Sequence, residues 1–454
     1  MPSRTVTDMT EGVIWRQLVD FAVPLFVGNI FQQLYNTVDS VVVGNFVGAD
    51  ALGAVTSTVP IVFTFISLFI GMTMGASVVI AQYFGAGDVA SLRRAVHTSV
   101  VSTVVLSLAL SAAGYAATPA LLRFMNTPAS IMPEAVTYLQ IYMLGLIGLM
   151  LYNMGSAILR AVGDSLRPLF LLILSSVLNI ALDLLFVISF KAGVAGVAWA
   201  TILSQLLSGL VVFALLFRSR ECHSITWGEM RVDRHILRRI LDLGLPSGVQ
   251  LALTSFSNVF VQGYINAYGA ASASGWGIYI RIDAFVFLPI QSMGMAVTTF
   301  TGQNAGALRA DRIRSGVRAS LGISAGITAL IVAIIYASAP WMVALFNRDD
   351  EVLRYGVLFL RLNSVFDLLN VIYVIYIIYG GALRGVGNAR IPMYFMLGSF
   401  VLFRQVYLLI ASRLTDSITP IALSYPAGWL LCSVLLILYV RKNGWDQALT
   451  ANTL

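Results

Sequence analysis

The chain has 454 residues, of which 58% are hydrophobic and only 11% charged, and its formal net charge is +7. That is too little polar surface to coat a soluble fold of this length, so soluble enzymes are excluded and a polytopic membrane protein is expected. The arginine excess then belongs to loops beside anionic headgroups, not to a nucleic-acid-binding face.

Windows of about 20 mostly apolar residues, enough to cross a bilayer as helix, fall at 17–44, 52–82, 95–116, 134–158, 167–189, 194–217, 237–266, 276–303, 315–338, 355–382, 391–412 and 420–440. Twelve transmembrane helices are therefore expected, in an all-α fold. The opening from Met1 to Arg16 lacks the pattern of a cleaved signal, so the first span stays in place. With the N-terminus inside, the inner loops receive most of the arginines, among them Arg93, Arg94, Arg218, Arg220, Arg238, Arg239, Arg312 and Arg314. The outer side receives Arg123, Lys191, Arg348, Arg354 and Arg413. This bias places both termini in the cytoplasm of a multi-pass protein of the cell (inner) membrane. Cys222 and Cys432 map to an inner loop and the last span, which excludes a disulfide framework.

The chain repeats itself. Asp20, Pro24 and Asn36 recur as Asp242, Pro246 and Asn258; Gln82, Gly85 and Ala86 recur as Gln303, Gly306 and Ala307; Leu159-Arg160 and Pro168 recur as Leu383-Arg384 and Pro392. Each copy holds six spans, an even number, so the halves are expected to be parallel lobes related by a pseudo-two-fold axis along the membrane normal. The expected division is an N-terminal lobe at 1–217, a cytoplasmic linker at 218–236 and a C-terminal lobe at 237–454. The linker, rich in arginine, reads as a solvated tether.

Asp39 lies inside the first span, where a carboxylate costs about 2.5–3.5 kcal/mol and asks for a partner. Asn179 and Asp183 are one turn apart on the fifth span. Counting along the helices at about 1.5 Å per residue puts Asp39, Asp183, Asn179 and Thr201 of the sixth span at one depth in the outer half. Two acids, an amide and a hydroxyl make an oxygen-rich pocket for a proton or a sodium ion. The duplicate positions hold Val261, Phe403 and Tyr407, so the site belongs to one lobe only. Pro24, about two turns into the first helix, can act as its hinge. Phe31, Tyr35, Asn36, Phe63 and Met72 are candidates for lining a substrate cavity. Arg281, Asp283, Arg361, Asp367 and Arg404 fall within spans of the second half and are expected to be buried and paired with one another. The Gly85-Ala86-Gly87-Asp88 and Gly306-Ala307 segments lack the ending of a nucleotide loop and read as tight turns between helices. His97, His223 and His235 have no metal spacing, and no hydrolase or metalloprotease motif is present.

Over almost its whole length the chain resembles the multidrug and toxic compound extrusion (MATE) family. The resemblance is carried by Pro24, Gln32-Gln33-Leu34-Tyr35-Asn36-Thr37-Val38-Asp39, Val47-Gly48-Ala49-Asp50-Ala51-Leu52-Gly53, Gln82-Tyr83-Phe84-Gly85-Ala86-Gly87, Asn179-Ile180-Ala181-Leu182-Asp183, Gly244-Leu245-Pro246 and Gly302-Gln303-Asn304-Ala305-Gly306-Ala307. It implies a secondary antiporter, not an enzyme, that exports bulky, often cationic lipophilic compounds in exchange for inward protons or sodium ions. It also implies Asp39, Asn179, Asp183 and Thr201 as the coupling-ion site, no cofactor or metal beyond that ion, contact with membrane lipid, and action as a monomer. In the family branch with coupling acids in the second lobe, helix seven carries a glutamate where this chain has Thr254. The alternative reading is a lipid-linked saccharide flippase of the same superfamily.

Overall fold

The computed structural model of the chain describes residues 6–369, 371–415 and 417–445, and the side chains of these except 49, 367–369 and 371–373. Its α-helices are α1 (Ile14–Val42), α2 (Ala49–Gly85), α3 (Val89–Phe124), α4 (Met132–Leu144), α5 (Leu146–Ala161), α6 (Leu166–Asp183), α7 (Gly193–Arg218), α8 (Arg234–Asn266), α9 (Ala270–Gly306), α10 (Ala310–Ala344), α11 (Asp350–Leu369), α12 (Val371–Gly385), α13 (Arg390–Leu397), α14 (Arg404–Leu414), α15 (Ile418–Ala422) and α16 (Ser424–Asn443). Among the described residues there is no strand.

Grouped between loops, these helices make the twelve predicted segments, and four of the segments are subdivided. The fourth is α4 and α5, bent by 45°. The bend lies at Gly145, where α7 comes so close that an added Cβ would meet Ile202 Cγ2 at 2.0 Å. The tenth is α11 with α12, the eleventh is α13 and α14 joined by a π-helical turn Gly398–Phe403, and the twelfth is α15 with α16. Among the described residues, eight helices are long and apolar enough to cross a membrane, nine with the bent pair. α1 and α8 dilute their apolar runs with polar first turns, Arg16, Gln17 and Asp20 in one, Arg234, His235, Arg238, Arg239 and Asp242 in the other.

The chain forms two compact units. Unit 1 holds the residues up to Asp8 and Pro24–Gly248; unit 2 holds Met9–Val23 and everything from Val249 on. The divisions therefore fall inside α1 at Pro24 and inside α8 beside Pro246, not at 217 and 237. A proline removes one helical hydrogen bond, so these are the weakest points of each helix. The start of α1 thus belongs with the second half of the sequence, and the start of α8 with the first.

In unit 1 the α8 start is seated on α2 through glycines. A Cβ added at Gly71 would lie 2.4 Å from Gly244 O, and one at Gly75 2.3 Å from Ile240 O, so only hydrogen fits at this crossing. The segment before α8 is docked, which corrects its reading as a solvated tether. Thr226 N–H donates to His97 Nε2 (3.0 Å) and Asp233 N–H to Thr98 Oγ1 (3.0 Å), Arg93 and Arg94 pair with Glu229 (3.6 Å) and Asp233 (3.3 Å), and Trp227 stacks on Phe217. Further on, Arg239 donates to Gln82 Oε1 (2.9 Å) and Tyr83 Oη (2.8 Å).

Unit 2 repeats the device with the segment before α1. Met9 N–H donates to Gln303 Oε1 (2.9 Å), Asn304 Nδ2 and Arg312 Nη2 donate to Met9 O (3.1 and 3.0 Å), and Arg309 donates to Thr10 O (2.6 Å). The repeated Gln-x-x-Gly-Ala does form the expected tight turns, with Gly87 at φ 68° and Leu308 at φ 57°. The turns were legible in the sequence. Their glutamines' task, holding the start of a long helix (Gln82) or the strap that leads into one (Gln303), was not.

Two predictions follow from these contacts. Gly71→Ala or Gly75→Ala should cost about 1–3 kcal/mol by overpacking, read as a lower thermal midpoint in detergent, whereas Gly263→Ala and Gly322→Ala, with nothing within 4 Å of the added carbon, should leave the midpoint unchanged. His223, in the docked segment, is 0% exposed, and burial holds its pKa below the ordinary histidine value. Its neutral form therefore stabilises the fold above the unfolded value of about 6.5, and this contribution is lost as pH falls below that value. The thermal midpoint should drop between pH 7.5 and 5.5, and His223→Phe should flatten that part of the slope.

Candidate functional site

α1 and α6 each end in a π-helical turn, Val43–Val47 and Leu184–Ser189, closed by the Gly48 N–H to Val43 O and Phe190 N–H to Leu185 O bonds, both 3.1 Å. Such turns recur at functional sites because they shift the phase of a helix and re-aim its side chains. Asp39 stands one turn before the first, and Asp183 immediately before the second. Their carboxyl groups lie close enough to interact directly. Two carboxyls can hydrogen-bond to each other only when one of them carries a proton.

Asp183 is 0% and Asn179 2% exposed. Asp39 Oδ1, both Asp183 oxygens, and Asn179 Oδ1 and Nδ2 are buried with no hydrogen-bond partner. Among the described residues no Lys, Arg or His pairs with either acid. If both were ionised, two negative charges would face each other with no basic side chain paired to them among the described residues, which a low-dielectric interior tolerates poorly. Chemically, such a set of oxygens suits a proton or a metal ion.

Tyrosine hydroxyls ring the pair. Tyr35 of α1 and Tyr138 and Tyr142 of α4 lie within electrostatic reach of Asp39, and Tyr138 also of Asp183. Tyr138 and Tyr142 stack with centroids 6.0 Å apart. The sequence reading missed both, although their i, i+4 spacing on the fourth span was the available signal. Over the π-turn end of the pair sits an apolar cluster of Val42, Val43, Ala51, Val187, Val194 and Val197, with Val38 and Tyr138 against it. It separates the acids from that end of unit 1.

Thr201 is half-buried, and its hydroxyl donates to Val197 O of its own helix (3.0 Å). Its described bond is thus local. Of the cavity candidates, Tyr35 turns to Asp39, Phe31 and Phe63 are half-buried, Asn36 is exposed, and Met72 is buried at the α2–α8 glycine crossing. The charged residues of the second half part ways. Arg281 and Arg361 are exposed, Arg361 over the Tyr336 ring at 5.5 Å, which corrects their expected burial. Asp283 is half-buried near Tyr425, Arg404 is buried, and the Asp367 side chain lies outside the described residues. No described ion pair includes Arg281, Arg361 or Arg404.

The sequence model of the MatE family matches this chain twice, over residues 24–185 and 246–409. The chain belongs to the MatE family. As a MatE protein it is a membrane transporter, not an enzyme. The two matches begin at Pro24 and Pro246, an independent measure of the internal repeat. The chain is 32% identical over 440 residues to "Probable multidrug resistance protein YpnP" of Bacillus subtilis, covering 96% of this chain and 97% of that protein. It is 25% identical to "Probable multidrug resistance protein NorM" of Thermotoga maritima, over 84% of this chain and 82% of that protein. Among solved structures, "Crystal structure of MATE in the straight conformation" superposes with a TM-score of 0.91 at 24% identity over 100% of both chains. "Crystal structure of MATE in the bent conformation" gives 0.90 at 24% identity over 98% of both. At that identity the likeness shows the fold.

The orphaned oxygens predict the sign of a stability change. Asp183→Asn gives Asp39 an N–H donor and removes one acid, so the variant should be as stable as the wild-type chain or more so, by up to about 1 kcal/mol. Asp183→Leu leaves Asp39 without a partner and should lower the thermal midpoint in the same detergent.

Proposed function

We propose that this MatE transporter is an antiporter that exports bulky lipophilic, often cationic compounds in exchange for protons or sodium ions entering the cell. The observation that carries the reading is the closely placed Asp39–Asp183 pair, whose buried oxygens have no hydrogen-bond partner and which has no ion pair to a basic side chain among the described residues. Such a pair changes its charge only by exchanging a cation, so every structural change it controls is tied to ion movement. Asp39, Asp183 and Asn179 supply the oxygens, and Thr201 completes the set when its hydroxyl leaves Val197.

In this reading both termini face the cytoplasm, the protein sits as a monomer in the cell membrane, and the acids lie in the outer half of unit 1. With both acids ionised, the site attracts a cationic substrate from the inner side. Arrival of a proton or sodium ion from outside neutralises the pair and removes that attraction, so substrate leaves outward and the ion is carried in. The two ligands compete through charge, which makes the exchange obligatory. Pro24 supports a hinge, because the division between the two compact units falls on it, and α1 carries Asp39 on the far side of that point. Phe31, Tyr35, Asn36 and Phe63 offer aromatic and amide surface toward a flat substrate. Curated relatives named as multidrug resistance proteins favour this reading over the saccharide flippase.

The deciding experiment is ethidium efflux from proteoliposomes with a sodium gradient and a proton gradient imposed separately. One gradient should drive transport, and Asp39→Asn or Asp183→Asn should reduce the driven rate at least tenfold while ethidium still binds. Unchanged gradient-driven efflux in both variants would sink the coupling assignment.

A further inference from the structure

Unit 2 carries a buried charge of the opposite sign. Arg404, at the start of α14 directly after the Gly398–Phe403 π-turn, is 2% exposed. Its Nη2 donates to Ser257 Oγ (2.7 Å) and Asn258 Oδ1 (2.8 Å), and its guanidinium lies over the Tyr425 ring at 4.7 Å. Those two bonds use both hydrogens of Nη2. Nε is buried with no partner, and among the described residues Nη1 has no acceptor either.

The surroundings hold the guanidinium in place without neutralising it. Ser257 Oγ donates to Phe400 O (2.7 Å) and accepts from Gln405 Nε2 (2.8 Å), so it is locked between α8 and the π-turn. Tyr425 is itself packed against Trp276 and Trp429 at 5.6 and 5.9 Å. The groups it contacts are neutral, and Asp283, which lies near Tyr425, makes no described ion pair with it. A buried arginine that is hydrogen-bonded on one nitrogen, stacked on a ring and left with open N–H groups is costly unless something anionic completes it. Asn258 is exposed, so the guanidinium stands one side chain below the surface of the unit.

We propose that Arg404 anchors an anion subsite in unit 2 that takes the carboxylate of an aromatic acid. Charge balance selects the class: a carboxylate brings one negative charge to one guanidinium, whereas a phosphate dianion would leave a buried excess. A carboxylate also keeps a second oxygen for another donor when its first accepts from one open N–H, whereas a monatomic anion meets every donor at a single point. The aromatic part follows from the setting of Tyr425, Tyr376 and Phe400, whose rings surround the guanidinium or its support. The subsite stands apart from the cation coupling of unit 1. Its consequence is that cargo bearing an acidic group, including zwitterions, has a specific foothold in this transporter.

Calorimetric titration of the purified full-length chain tests this with three probes: sodium benzoate, its neutral analogue benzamide, and sodium chloride. Benzoate should bind saturably and at least about tenfold more tightly than benzamide or chloride. Arg404→Gln should weaken benzoate roughly tenfold or more and abolish its advantage over benzamide. Should that variant fail to fold, Asn258→Asp decides, because it leaves the guanidinium in place and sets a competing carboxylate beside it; benzoate should weaken by a similar factor. Equal binding of benzoate and benzamide, chloride binding as tight as benzoate, or unchanged benzoate affinity in Asn258→Asp would overturn the proposal.

Discussion

The rest of unit 1 is arranged around one constraint: two carboxyl groups, Asp39 and Asp183, stand together with no basic side chain paired to either among the described residues. Each acid alone would be a costly polar defect in an apolar helix. Set close together they bring α1 and α6 into direct electrostatic contact, and one proton between them would turn the repulsion into a hydrogen bond. The cost has not disappeared; it has become conditional on a cation. Two π-turns follow the acids closely, three tyrosines lie within reach of their charge, and a valine cluster closes the end beyond them. These features place the acids where a change of charge matters mechanically.

The second constraint is the way each long proline-bearing helix begins. The straps before α1 and α8 are pinned by side chains of the repeated Gln-x-x-Gly-Ala turns and the arginines and histidine after them. The start of each of these helices belongs to one compact unit and the remainder to the other, with the change at Pro24 and beside Pro246. Where a helix is held at its start by a strap and lacks a hydrogen bond part-way along, bending concentrates at the proline. On the proposed function, ion occupancy at Asp39 and the conformation of α1 are thereby carried on one element.

Duplication produced two similar scaffolds with opposite contents. Where unit 1 has Asp39 and Asp183, unit 2 has Val261 and Tyr407, and one turn away from those positions it buries Arg404 instead. The same backbone thus supports an anionic pair in one copy and a lone cation in the other. What each copy can hold follows from which charge it leaves unpaired.

Composition and periodicity were enough to establish the membrane class, the twelve helical segments and the repeat, because a span of apolar residues and a duplicated pattern are properties of neighbours along the chain. Asp39, Asn179 and Asp183 were legible for the same reason: an acid inside an apolar run is an anomaly that can be seen without a structure. Other features depended on distance in space. Tyr138 and Tyr142 looked like ordinary packing until α4 was set against α1, and the glutamines of the turns looked idle until the straps reached them. Arg281, Arg361 and Arg404 looked alike as charges within apolar spans, yet two are exposed and one is buried. Sequence therefore determined that this chain crosses a membrane, repeats itself and carries intramembrane acids. Only the tertiary structure decided which charges face a partner and which face nothing, because electrostatic compensation depends on atoms a few ångströms apart that the chain separates by more than a hundred residues.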